Sequence, residues 1–272
     1  MSKLLWPAFI VAFLLSGCSL LLPEQVDKTA GWSAQKLYSE ATDAMHGGNY
    51  ERAIEYYQKL ESRYPFGKYA LQSQLNIAYA YYQADEPDSA LAAVDRFVKL
   101  HPDHPAVAYA LYLKALVNFT RNMGFFSRFL PTDNSQRDPG STQESYKDFA
   151  ELVRRFPDTE YAQDAKLRML YLRNQLARHE LHVARYYLDC GAWLAAANRA
   201  QYVVQHYQYT PSVKDGLTIM IIAYEKMGMV ELYRDALRVL AINEKNGAFP
   251  ELEESDKTLT EKIWEYLELD KG

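Results

Sequence analysis

Between Ala34 and Pro65 the apolar positions fall in helical steps twice over, with a single break between the two runs. Leu37 and Ala41 share one face of the first run; Ala53, Tyr57 and Leu60 share one face of the second. Gly47-Gly48-Asn49 separates them, and Pro65 closes the second. The pattern predicts helices over Ala34–His46 and Tyr50–Arg63, joined by a tight turn. The arrangement then recurs. Ala41, Ala78 and Ala115 are 37 residues apart, as are Ala53 and Ala90, and Pro65 and Pro102. Three position classes recurring at one period mark an internal repeat.

With Ala34 as position 1, the small or apolar residues stand at positions 4, 8, 20, 24 and 27 and the proline at 32. That is the 34-residue tetratricopeptide pattern, an antiparallel helix pair with small residues where the helices cross. One pair cannot bury its own apolar face, so copies must stack on it. The fold class predicted is all-α, a tetratricopeptide-repeat solenoid of about five helix pairs. Repeat two reads as Tyr69–Gln83 and Asp88–Leu100. Repeat three opens with Ala106–Arg121, is interrupted by residues 122–141, and resumes as Thr142–Phe156. An insertion of that length within a compact domain is usually functional or disordered, and its three Phe residues argue against plain disorder. Repeat four has no breaker from Thr159 to Asp189, which predicts one long helix. Its second helix opens at Gly191-Ala192-Trp193, and Ala196, Val203 and Tyr207 answer Ala53, Leu60 and Tyr64 at offset 143. Repeat five spans Pro211–Asn243 with its turn at Gly228-Met229, and carries Tyr233 where Ala is expected. Glu244–Asp256 is acidic and irregular; Thr258–Leu269 predicts a further short helix with Ile263, Trp264 and Leu267 on a stripe.

The N-terminus has a different logic. Lys3 precedes the apolar run Leu4–Leu15, and Leu15-Ser16-Gly17-Cys18 follows. This is the layout of a secretory signal. The Leu-Ser-Gly-Cys order resembles the lipobox of bacterial lipoproteins, with cleavage between Gly17 and Cys18. The resemblance implies a diacylglyceryl thioether and an N-acyl chain on Cys18, which would anchor the chain to a membrane. The alternative is an uncleaved membrane helix, since Leu4–Leu22 is 19 residues long and mostly apolar. Ser19, in place of Asp, resembles the outer-membrane class of such lipoproteins. Residues 1–17 are thus read as signal peptide and 18–32 as a lipidated tether. With Cys18 acylated, Cys190 has no partner for a disulfide.

Composition narrows the chemistry. The 272 residues carry a formal charge of -5, which leaves no electrostatic footprint for nucleic acid. None of the six His residues sits in a zinc signature, and neither a phosphate loop nor a nucleophile elbow is present. The expectation is a protein without catalytic residues, metal or cofactor other than the covalent lipid on Cys18. What remains is surface. In tetratricopeptide arrays, positions 2, 5, 9 and 12 of the first helix of each repeat face a concave groove. Here they select Tyr38 and Met45, then Leu75, Tyr79 and Tyr82, then Tyr112, Leu116 and Phe119. Such a groove suits an extended peptide with aromatic side chains; the competing reading packs these residues against the next repeat.

Several local strings accompany the repeats: Arg63-Tyr64-Pro65-Phe66-Gly67, Ala78-Tyr79-Ala80-Tyr81-Tyr82, Asp95-Arg96-Phe97, Arg137-Asp138-Pro139 and Gly191-Ala192-Trp193-Leu194-Ala195-Ala196-Ala197-Asn198-Arg199. Together with the lipobox they resemble the BamD (ComL) family, lipoproteins of the outer-membrane β-barrel assembly machinery, over about residues 18–245. The resemblance implies a non-enzymatic scaffold at the periplasmic face of the outer membrane of a diderm bacterium. It implies that the N-terminal repeats, 33–121, receive unfolded β-barrel substrates through a C-terminal strand ending in an aromatic residue. It implies that the C-terminal repeats, 142–245, hold the periplasmic domain of BamA, with Arg199 contributing, and that BamC and BamE bind where they exist. Tyr64 and Phe66 either staple repeat one to repeat two or meet substrate. Cys190 stands where the family often has Arg. The extension 246–272 is less typical and receives no role. A generic periplasmic tetratricopeptide lipoprotein, adapting envelope or cell-division complexes, is the alternative.

Overall fold

The computed structural model describes residues 27–121 and 134–247, together with Phe249. The signal peptide, Gly17, Cys18, most of the tether, the Phe-rich part of the insertion and the 258–269 helix lie outside the described residues. Among the described residues there are ten α-helices and no strand. They are α1 (Ala34–His46), α2 (Tyr50–Arg63), α3 (Lys68–Gln83), α4 (Pro87–Leu100), α5 (Val107–Arg121), α6 (Gly140–Arg155), α7 (Glu160–Asp189), α8 (Trp193–His206), α9 (Ser212–Lys226) and α10 (Val230–Lys245). The expected five pairs are all present, and the unbroken run in repeat four is one helix of 30 residues, about 45 Å long. Glu244 and Lys245, expected to open an irregular acidic stretch, belong instead to α10; most of that stretch lies outside the described residues.

Local sequence explains where helices start and stop. Side chains of Ser33, Asn49 and Thr159 accept hydrogen bonds from the backbone N–H groups of Lys36, Arg52 and Ala162, satisfying first-turn donors. The first helices of four pairs end in one way. A cap residue near φ -80° is followed by a left-handed residue, at Gly48, Asp85, Gly191 and Gly228. Asp is among the few non-glycine residues that tolerate that conformation. The second helices α2, α4, α6 and α8 end in another way, at Tyr64, His101, Phe156 and Tyr207 with φ between -134° and -114°. Pro65, Pro102 and Pro157 follow three of these caps and push the preceding residue out of the helical region.

Each helix packs on the next in sequence, from α1 against α2 to α9 against α10. First helices also touch first helices: α1 with α3, α3 with α5, α5 with α7, α7 with α9. No such contact joins second helices among the described residues. The array therefore curves toward the row of first helices, which form its concave side. Small residues allow the close crossings: Ala41, Ala53, Ala78, Ala90, Ala115 and Ala196 are fully buried. In repeat three the equivalent of Ala53 is Ser145, whose buried hydroxyl donates to the Ala115 carbonyl at 3.0 Å. Phe97, Phe149, Leu113 and Leu152 fill the central core, and Tyr57 and Leu60 the first repeat.

Two connections were not foreseen. Residues 27–32 fold onto repeat one: the Arg63 guanidinium donates to the Thr29 carbonyl and hydroxyl and to the Asp27 carboxylate. Hydrogen bonds from Thr29, with Lys59 and Arg63 adding to them, hold Asp27 well below the usual carboxylate range. In the insertion, residues 134–136 form a 3-10 turn against α7. His179 Nδ1 meets the Ser135 carbonyl at 2.8 Å and His182 Nε2 meets its hydroxyl at 2.9 Å. The two histidines are therefore not merely solvated surface; three apart on α7, they grip the end of the insertion.

Candidate functional site

Tyrosines line the concave side from helix to helix. Tyr38 of α1 meets Tyr69 of α3 at a tilt, with centroids 5.1 Å apart. Tyr79 and Tyr82, also on α3, are 6.3 Å apart. Tyr109 and Tyr112 of α5 both approach Tyr161 of α7, at 5.8 and 5.2 Å. Tyr79 is the most exposed of the α3 pair at 37%. Its hydroxyl accepts from Gln83 Nε2 at 2.8 Å. Such rings offer broad apolar faces with a polar tip.

Beneath this row lies a polar network. The Tyr112 hydroxyl donates to Asp164 Oδ2 at 2.7 Å, and Arg168 Nε donates to the same oxygen at 2.6 Å. The Arg168 guanidinium also sits 5.0 Å from the centre of the Phe119 ring. Arg168 is 4% exposed and its Nη1 has no hydrogen-bond partner. The network ties α5 to α7 and fixes the tilt of the Tyr112 ring.

The structure corrects part of the expected groove. Leu75 and Phe119 are 3% and 4% exposed and belong to the central core, since neighbouring helices cover them. They cannot touch a ligand. Tyr38 is half-buried, edge-on to Tyr57 at 5.7 Å. Tyr112 is half-buried over Phe149. Tyr79 and Tyr82 remain accessible on α3. Sequence reasoning passed over Tyr109 and Tyr161. Tyr109 occupies position 2 of repeat three, so the groove rule applied to every position would have included it.

The motif residues after repeat one divide as well. Tyr64 donates to the Trp32 carbonyl at 2.9 Å, which ties repeat one to the end of the tether and not to repeat two. Phe66 is 91% exposed, so it staples nothing. Gly67, at φ +103°, takes a conformation that side chains rarely allow and directs the chain into α3.

On the opposite side, α6 and α8 splay apart over α7 and leave a cleft of about 440 Å³. Tyr146, Lys147, Arg173, Tyr202, His206 and Tyr207 line it. Arg199, one turn before Tyr202 on α8, donates to Glu180 Oε2 at 3.0 Å and keeps its side chain about half exposed. Burial pushes the Tyr207 phenol up to about 12, with Tyr202 and Glu180 adding to it. Burial likewise raises Tyr109 and Tyr112. A phenol that holds its proton more tightly when folded stabilises the fold fully below its unfolded value, near 10, and loses that contribution as pH rises toward the folded value. Urea midpoints are expected to fall progressively between pH 10 and 12. An unchanged midpoint at pH 11 would contradict the burial of these three hydroxyls.

Paired helices stacked in register, with an open aromatic face, define a tetratricopeptide-type scaffold. Among the described residues no helix is long and apolar enough to cross a membrane. The chain belongs to the YfiO family of outer membrane lipoproteins, whose family model matches residues 31–240. Its relatives include the outer membrane protein assembly factor BamD of Neisseria meningitidis serogroup A, 47% identical over 231 residues, covering 84% of this chain and 86% of the relative. The protein of the same name from Vibrio cholerae is 35% identical over 230 residues, covering 85% of this chain and 94% of the relative. A crystal structure of MamA protein matches loosely, at 14% identity and a TM-score of 0.33, covering 81% of this chain and 96% of that one.

Proposed function

We propose that this chain is an outer membrane protein assembly factor that works within the BAM complex by presenting surfaces and catalyses no reaction. Kinship with assembly factors over most of the chain supports the assembly role. The accessible pair Tyr79 and Tyr82, continued by Tyr109 and Tyr161, is the observation that carries the mode of action. An unfolded β-barrel strand ending in an aromatic residue matches that row in chemistry and in extended shape. Burial of an aromatic ring against tyrosines, with phenol hydroxyls left to meet main-chain groups, is a common basis of peptide recognition.

The remaining assignments belong to the same reading. Cleavage between Gly17 and Cys18 and acylation of Cys18 place the repeats at the periplasmic face of the outer membrane. No cofactor is required beyond that lipid. The C-terminal repeats hold the periplasmic domain of BamA, with Arg199 able to exchange Glu180 for a carboxylate of the partner. BamC and BamE join where the organism has them. Isolation of the full chain from detergent-solubilised membranes tests this. A large β-barrel protein should co-purify, and the mature first residue should be acylated Cys18. Recovery with envelope or cell-division proteins and no barrel protein would favour the generic adaptor instead.

A further inference from the structure

The last helix ends in the wrong way for its place. α10 is the second helix of its pair, yet its C-terminus is built like that of a first helix. Asn246 caps it at φ -85° and ψ 2°, with its N–H directed at the carbonyls of Ile242 and Glu244. Gly247 follows at φ +63°. This is the turn that, after α1, α3, α7 and α9, reverses the chain into an antiparallel helix. None of α2, α4, α6 or α8 ends so.

The flank that would receive such a helix is apolar and open. On α8, Ala200 and Val204 meet Gly216 of α9, where an added Cβ would stand 3.3 Å from each. The corresponding residues of α10, counted from the matching turns, are Leu237 and Ala241. Ala200 is fully buried, whereas Leu237 is 38% exposed and Val230, two turns earlier, 53%. Arg234 lies between them and, among the described residues, pairs with Glu231 of its own helix.

We propose that residues 258–269 fold back as an amphipathic helix onto the Val230–Leu237 flank and cap the solenoid. Leu259, Ile263 and Leu267 recur every four residues, with Trp264 beside them, and so form one apolar stripe. Glu261, Glu265 and Glu268 carry charge opposite to Arg234 and Arg238. At helical rise the stripe from Leu259 to Leu267 spans about 12 Å, close to the roughly 11 Å from Val230 to Leu237, and twelve residues of helix, about 18 Å, fit within the roughly 24 Å of α10. The chain leaves α10 already turned toward it. Repeat arrays require a terminal element whose outer face is polar, and this segment supplies one.

Hydrogen exchange on the full chain tests the proposal, comparing wild type with Ile263→Glu/Leu267→Glu and with a chain ending at Gly247. Both changes are expected to speed exchange of the α10 amides about tenfold while leaving α1 to α6 unchanged. Light scattering should report a monomer throughout. Equal exchange in α10 for all three chains would overturn the proposal. So would a wild-type dimer whose α10 protection rises with concentration, which assigns the flank to a second copy. Protection of α10 seen only in the detergent-extracted complex, and equally in the variant, would assign it to a partner and likewise overturn it.

Discussion

Phe149→Ala is expected to lower the stability of the array by about 3–5 kcal/mol, the usual cost of emptying a phenylalanine site in a core. The ring is fully buried at the middle of the chain. It lies 6.1 Å from Tyr112 and 6.4 Å from Phe119, on α5, while its own helix α6 also packs against α7. The flanking helices are held by their own small-residue crossings and cannot close on the void. Because each repeat contacts only its neighbours, a weak central interface also separates the two halves energetically. Urea unfolding should shift to lower midpoint and broaden or split into two transitions. A loss below about 1 kcal/mol would mean that the site collapses freely, against the packing described.

Asp164→Ala is the second large effect. It removes the carboxylate that pairs with Arg168 among the described residues, leaving a side chain that is 5% exposed. Stranding a buried charge costs about 3–5 kcal/mol, far more than the pair contributes over an apolar substitute. The double variant Asp164→Leu/Arg168→Met should therefore recover most of the loss. Nη1 of Arg168 lacks a partner even in the native chain, which favours that recovery. Chemical denaturation of both single variants and the double variant measures the coupling. If Asp164→Ala alone unfolds at the wild-type midpoint, water reaches Arg168 and the site is not closed.

Much of this was legible in the sequence, because each helix pair is defined by local signals. Gly48, Gly191 and Gly228 marked the turns, Pro65, Pro102 and Pro157 the ends of second helices, and the 37-residue spacing of Ala41, Ala78 and Ala115 the crossings. The absence of a breaker from Thr159 to Asp189 correctly announced α7. The candidate site was less legible. Positions that face the groove also border the next repeat, and the repeat pattern alone does not say which side a residue takes. Tyr79 stays open while Leu75, one turn earlier on α3, packs into the central core. The grip of His179 and His182 on Ser135 joins residues more than 40 apart, and nothing periodic announces it. Phe66 read either as a staple between repeats or as a substrate contact; Gly67, at positive φ, turns the chain into α3 just after it, and the ring stands in solvent.

The claim that this scaffold works by receiving aromatic-ended strands rests on the Tyr79–Tyr82 face. Its most direct measurement is equilibrium binding of a ten-residue peptide of alternating polar and apolar residues ending in phenylalanine to the purified full chain. Wild type should bind and Tyr79→Ala/Tyr82→Ala should bind at least about tenfold more weakly, the loss expected on removing central aromatic contacts, with helical content unchanged. Equal affinity for the two chains, both folded, would contradict the assignment of this face.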